Sequence, residues 1–94
     1  MSIGILTLHL FLPDCKSLKD KRSRLKPLLA RLHREFNISA AEIDFMDHWR
    51  EAVVACTIVS NDKIHNEQVL QKIVVFTENH FEDLQILKQG IELI

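Results

Sequence analysis

Leu6, Leu8, Leu10 and Leu12 alternate with Ile5, Thr7, His9 and Phe11. Period two sustained from Ile3 to Leu12 commits that stretch to a β-strand, because successive strand side chains leave opposite faces. It also constrains what surrounds the strand. The uninterrupted leucine face must be covered by helices, while the face of Ile3, Ile5, Thr7, His9 and Phe11 is mixed and stays half-open. Pro13-Asp14 ends the strand.

The rest of the chain supplies the covering layer and three more strands. Ser17 is a good helix N-cap, and Asp20 at the third helical position makes a weaker form of the capping box. Leu18, Leu25, Leu28, Leu29, Leu32 and Phe36 then recur at helical spacing. Pro27 interrupts that stripe, and an interior proline costs ~3 kcal/mol or more. The expectation is a kink, or a short helix over 17–25 leading into a second over 26–36. Residues 38–45 read as the second strand, with Ile38, Ala40 or Ala41, and Ile43 as its apolar positions. Met46-Asp47-His48 is a connection. Residues 49–60 read as a central strand, because Ala52 to Val59 is almost unbroken apolar sequence. Asn61-Asp62 caps a second helix, with Ile64, Val69, Leu70, Ile73, Val74, Phe76 and Thr77 on its stripe to about Asn79. Residues 84–94 form the last strand, with Gly90 marking a bulge.

The order is βαββαβ. Right-handed crossovers put both helices on one face of the sheet. The expected architecture is therefore a ferredoxin-like α+β sandwich, antiparallel sheet order 4-1-3-2, forming one domain over residues 1–94. The uncovered face is too apolar for water, which points to a homo-oligomer, a dimer first, with Ile3, Ile5, His9 and Phe11 at the interface.

Several function classes drop out. No run approaches the ~18 apolar residues that cross a bilayer, and no secretory signal is evident, so no membrane contact is expected. Cys15 and Cys56 lack metal spacing and read as reduced thiols of a cytoplasmic protein. The histidines at 9, 33, 48, 65 and 80 are scattered, so neither a metal nor a cofactor is expected. The two glycines are isolated, which removes nucleotide-binding loops. Catalysis has one weak candidate. Cys15 follows a strand beside Lys16, within reach of His9, and cationic neighbours would activate a thiol. No third, orienting residue accompanies it.

Charge carries the functional reading. Eight of the 12 Lys and Arg residues lie between Lys16 and Arg34: Lys16, Lys19, Lys21, Arg22, Arg24, Lys26, Arg31 and Arg34. Only one acid, Asp20, accompanies them, so a formal charge of −1 conceals a strong dipole. One reading is contact with phosphates, of RNA or a ribosomal subunit. The other is structural. Lys21 and Arg22 fall between Leu18 and Leu25 on the apolar stripe, where a cation must snorkel or pair. Arg22 with Glu42 and Asp47 is the expected ion-pairing set. Strand three carries no K/R-G-F/Y-type aromatic pattern, and Phe11 is the sole aromatic clearly on the open face of the central strands, so base reading across the sheet is not expected.

SLKDKR (Ser17 to Arg22), Arg31-Leu32 and Phe36-Asn37-Ile38-Ser39-Ala40-Ala41-Glu42 resemble the YlxP-like family of small bacterial proteins of unknown function. The resemblance spans the chain, from the opening strand, Met1 to Pro13, through Asp47-x-Trp49 and Val59-Ser60-Asn61-Asp62 to Ile91-Glu92-Leu93. It implies a ferredoxin-like fold. Family members are often encoded near genes for translation initiation and ribosome maturation, which implies a role around RNA or the ribosome. It implies no catalytic residue, cofactor or substrate.

Overall fold

A computed structural model describes residues Met1–Ile94. The elements run β1 (Ser2–Phe11), α1 (Leu18–Glu35), β2 (Ser39–Asp44), β3 (Glu51–Ser60), α2 (Lys63–His80) and β4 (Gln85–Leu93). All strand pairs are antiparallel, and the sheet order is β2-β3-β1-β4, the order expected from the pattern. The central pair runs in full register from Ser2↔Ser60 to Phe11↔Glu51.

The leucine face of β1 is the floor of the core. Leu6, Leu8, Leu10 and Leu12 are fully buried, with Ala52, Val54, Cys56 and Ile58 beside them on β3. Leu25, Leu28 and Leu32 of α1 and Leu70, Ile73 and Val74 of α2 close over this floor in one cluster. Each buried Leu, Ile or Val contributes roughly 1.5–3 kcal/mol by leaving water. Gly4 sets the spacing under α2: a Cβ there would lie 2.9 Å from Leu70 Cδ1 and 3.1 Å from Ile58 Cγ2. A Cβ there would require the Leu70 and Ile58 side-chain ends to move aside, so the absence of a side chain at Gly4 lets the α2 side chains pack close to β1.

Four local expectations are corrected. First, Pro27 sits inside one continuous α1 rather than dividing it. Leu25, Leu28 and Leu32 on one buried stripe hold the helix together across it, and exposed Pro27 and Ser23 leave the unpaired Ser23 carbonyl to water. Second, β2 turns Ala40 and Glu42 toward the helices and leaves Ile43 51% exposed. Third, the bulge in β4 is at Leu87, not Gly90: His9 pairs with Lys88 and Leu10 with Ile86. Ile43 is skipped the same way, since Glu42 pairs with Val54 and Asp44 with Val53. Fourth, Ile64 is exposed, and Asn66 takes the inward position at the start of α2. Its Nδ2 donates to Ser2 O at 3.2 Å, and its Oδ1 accepts from Ser60 Oγ at 2.6 Å, so both central strands are tied to the helix.

No helix is long and apolar enough to cross a membrane.

Candidate functional site

The basic segment is not one surface. Lys21 points inward with Leu25, Leu28 and Leu32, at helical spacings of four, seven and eleven, and is buried. Its Nζ lies 2.7 Å from Glu42 Oε2 and donates to Phe45 O at 2.6 Å. Arg24 is also used within the fold, donating to Pro13 O at 2.6 Å and lying 3.4 Å from Asp20 Oδ2. Arg31 covers the Phe76 ring at 5.1 Å, and Phe76 meets Phe36 edge-on, so this cation helps join α1 to α2. Arg34 is exposed beside Glu35 at 3.7 Å.

Lys16, Lys19, Arg22 and Lys26 remain, all exposed and without an ion pair. Lys19, Arg22 and Lys26 share one face of α1 at spacings of three and four, and Lys16 immediately precedes the cap. This corrects the expected ion-pairing set. Glu42 pairs with Lys21, because one residue along a helix turns the side chain by about 100° and carries Arg22 to the solvent side. Asp47 is exposed and has no ion pair.

The start of α1 is fixed by its cap. Ser17 Oγ accepts from Asp20 N at 3.0 Å, and Asp20 Oδ2 accepts from Lys16 N at 3.3 Å. Those contacts hold the Asp20 carboxyl below the usual carboxylate range, chiefly through the Lys16 N–H, with the Arg24 guanidinium adding to it.

The β2–β3 connection docks against this same end of α1. Phe45 adopts a left-handed backbone, φ 61°, which costs a non-glycine residue roughly 1–2 kcal/mol. Three contacts hold it there. Lys21 Nζ donates to its carbonyl, Asp44 Oδ1 accepts from its N–H at 2.8 Å, and the His9 ring stacks on its ring at 5.2 Å, 6° from parallel. His48 meets Phe45 edge-on at 4.9 Å. Arg50 Nε donates to Cys15 O at 3.1 Å, and Arg50 O accepts from Leu12 N at 2.8 Å, stitching the connection to the β1–α1 loop. The result is an open hollow of about 470 Å³ lined by Phe11, Asp47, His48, Trp49, Arg50 and Glu51. Trp49 is 53% exposed. Sequence reasoning placed only Phe11 on this surface. Phe45 and Trp49, expected at the ends of the second and third strands, lie instead with His48 on the connection, because β2 stops at Asp44 and β3 starts at Glu51, and outside a strand the two-residue period gives no orientation.

Of the expected interface residues, Ile3, Ile5, His9 and Phe11 all lie on the open sheet face and are half-buried. The structure divides them: His9 and Phe11 belong to the aromatic end, Ile3 and Ile5 to the other. Thr7, Ala55 and Ala41 form a row of small residues across the middle, with Gly90 beside Thr7.

Cys15 lies in the core beneath the sheet, away from His9 on the open face, so it is not placed as the weak nucleophile candidate required. Its side chain is fully buried and donates weakly to Ser17 O at 3.5 Å. Cys56 is buried too, and burial pushes its thiol up to about 11. No group of three or more His, Cys, Asp or Glu side chains is placed to hold a metal ion.

The comparisons with known proteins agree with this architecture. The chain is 32% identical over 77 residues to the uncharacterized protein YlxP of Bacillus subtilis strain 168, covering 82% of this chain and 84% of that one. Among solved structures, it superposes on the de novo designed protein Foldit4 with a TM-score of 0.56 at 12% identity, covering 100% and 97% of the two chains. It also superposes on the C-terminal segment of the alpha subunit of aIF2 from Pyrococcus abyssi, with a TM-score of 0.50 at 13% identity, covering 100% of this chain and 49% of that one. At such identities these two likenesses concern the fold alone. The model of DUF503, a family of proteins of unknown function, matches residues 3–90. This chain belongs to the DUF503 family.

Proposed function

We propose that this protein is a non-catalytic binding protein of the cytoplasm that holds RNA, free or within a ribosomal subunit, through the outer face of α1. The observation that carries the reading is the division of the basic segment. Lys21, Arg24 and Arg31 are used by the fold, whereas Lys16, Lys19, Arg22 and Lys26 stand exposed and unpaired. Unpaired cations packed along one helix face repel one another, and a phosphate backbone relieves that repulsion while releasing its own counterions. Contacts of this kind carry little sequence information.

The test is a matched pair of variants. Lys19→Gln/Arg22→Gln/Lys26→Gln is expected to lose affinity for many RNA sequences alike while its melting temperature stays within a few degrees. Lys21→Met is expected to lower the melting temperature and leave the RNA contacts of the surviving folded protein intact. A triple variant that binds RNA like the parent protein contradicts the proposal.

A second reading concerns the sheet. Val59 is 63% exposed on the uncovered face, paired with half-buried Ile3 and close to half-buried Ile5. We infer that a second copy of the chain covers the Ile3–Ile5 end of that face. Sedimentation at rising concentration should then show a dimer that Val59→Lys dissociates. A parent protein that stays monomeric at high micromolar concentration contradicts it.

A further inference from the structure

The hollow at the β2–β3 connection differs from the rest of the surface in what it brings together. Phe11, His48 and Trp49 offer aromatic surface on its walls, and Arg50 joins them. Arg50 donates to Cys15 O, Lys16 is the next residue along the chain, and Lys19 and Arg22 follow on the first turns of α1. Aromatic walls next to a row of free cations are what a single-stranded nucleic acid requires. Its bases need a flat apolar partner once unstacked, and its phosphates need neutralising a few ångströms away. A duplex satisfies only the second need, because its bases are already paired and stacked.

The hollow is held in shape by unusual means. The left-handed backbone of Phe45 is fixed by a buried ammonium, that of Lys21, and by the His9 ring. Strain of this kind persists only where surrounding contacts over-determine it. Asp47 and Glu51 also line the hollow. Carboxylates repel phosphates, so the backbone is directed to the cationic flank rather than into the hollow. They accept hydrogen bonds from the exocyclic amines of cytosine and adenine, whereas uracil presents carbonyl oxygens at the corresponding places.

We propose that the hollow of Phe11, His48 and Trp49 takes one unpaired, amine-bearing base of single-stranded RNA, with the adjoining phosphates on Arg50, Lys16 and Lys19. This rests on the RNA reading above and adds to it the strandedness of the ligand, the site of the base and a base preference.

Trp49 reports on the site without modification, because it is the one Trp in a chain with no Tyr. The experiment titrates the protein with eight-nucleotide oligo(C), oligo(A) and oligo(U) and with a duplex RNA of the same length. Trp49 emission and, separately, affinity from a labelled strand are read at fixed salt. Oligo(C) and oligo(A) should quench Trp49 and bind at least about threefold tighter than oligo(U), and duplex RNA should leave the emission unchanged. Trp49→Leu should weaken oligo(C) binding about tenfold, in line with loss of one base–aromatic stack. Glu51→Gln should narrow the difference between oligo(C) and oligo(U). Salt-sensitive RNA binding with Trp49 emission unchanged, or equal quenching by duplex, overturns this inference and leaves the α1 reading standing. Absence of RNA binding by any strand overturns both.

Discussion

Lys21 is the residue on which two parts of the structure depend. It is 1% exposed, and its ammonium holds Glu42 and the carbonyl of Phe45. A buried charge is tolerated only when it is paired, and removing one partner leaves the other stranded. Lys21→Met is therefore expected to cost about 3 kcal/mol, since Glu42 keeps only part of its access to water. Adding Glu42→Leu should recover more than 1 kcal/mol of that loss, because the stranded carboxylate goes with it. Chemical denaturation of the parent, both single variants and the double variant measures this coupling. The sequence already placed a cation on the apolar stripe, but a one-residue difference in helical phase separates Lys21 from Arg22. Only the angle at which α1 lies on β2 decides between them. Cys56 supplies a second residue-scale prediction. Burial raises its thiol from an ordinary 9.0 to about 11. Its folded state thus binds the proton more tightly, so stability is complete below pH 9 and is lost as the pH rises toward 11. The loss should be roughly 2–3 kcal/mol, from a two-unit shift at about 1.4 kcal/mol each. Denaturation at pH 8 and pH 11 should show a drop in the parent that is smaller by that amount in Cys56→Ala.

Among the elements, α1 carries the most information. Ser17, Asp20 and the leucine stripe mark its start and its buried face in the sequence alone. Pro27 could not be judged from sequence, because its cost is local while the compensation comes from tertiary packing of Leu25, Leu28 and Leu32. That compensation is a load the helix need not carry. Pro27→Ala should stabilise the protein by about 1–3 kcal/mol, restoring the hydrogen bond to Ser23 O. A thermal melt lower than the parent's would mean that proline is needed at that position. The strands divide in the same way. β1 and β3 were legible because they alternate or run apolar throughout. β2 was ambiguous between Ala40 and Ala41, and the choice was settled by Glu42, a polar residue turned inward to meet Lys21. The bulges at Ile43 and Leu87 lie on the two edge strands, opposite Val53 and His9, and no glycine announces either.

At the scale of the whole molecule, the charge dipole takes on a structural meaning. The acids within and around the basic segment neutralise it only in part. Glu42 and Asp20 meet Lys21 and Arg24, Glu35 lies near Arg31 and Arg34, and four cations are left facing solvent. The fold itself followed from the strand pattern and the βαββαβ order. The aromatic end of the sheet did not, because it is assembled from a loop, and loop side chains have no periodicity to read. The proposed function requires that the free cations meet phosphates. The most direct measurement is the affinity of the parent protein and of Lys19→Gln/Arg22→Gln/Lys26→Gln for one single-stranded RNA over a range of salt. Each neutralised phosphate contributes about 0.7 to the slope of log affinity against log salt. The parent should show a steep negative slope, and the triple variant should be shallower by about 2. Equal slopes for the two proteins, or a parent affinity indifferent to salt, would contradict it.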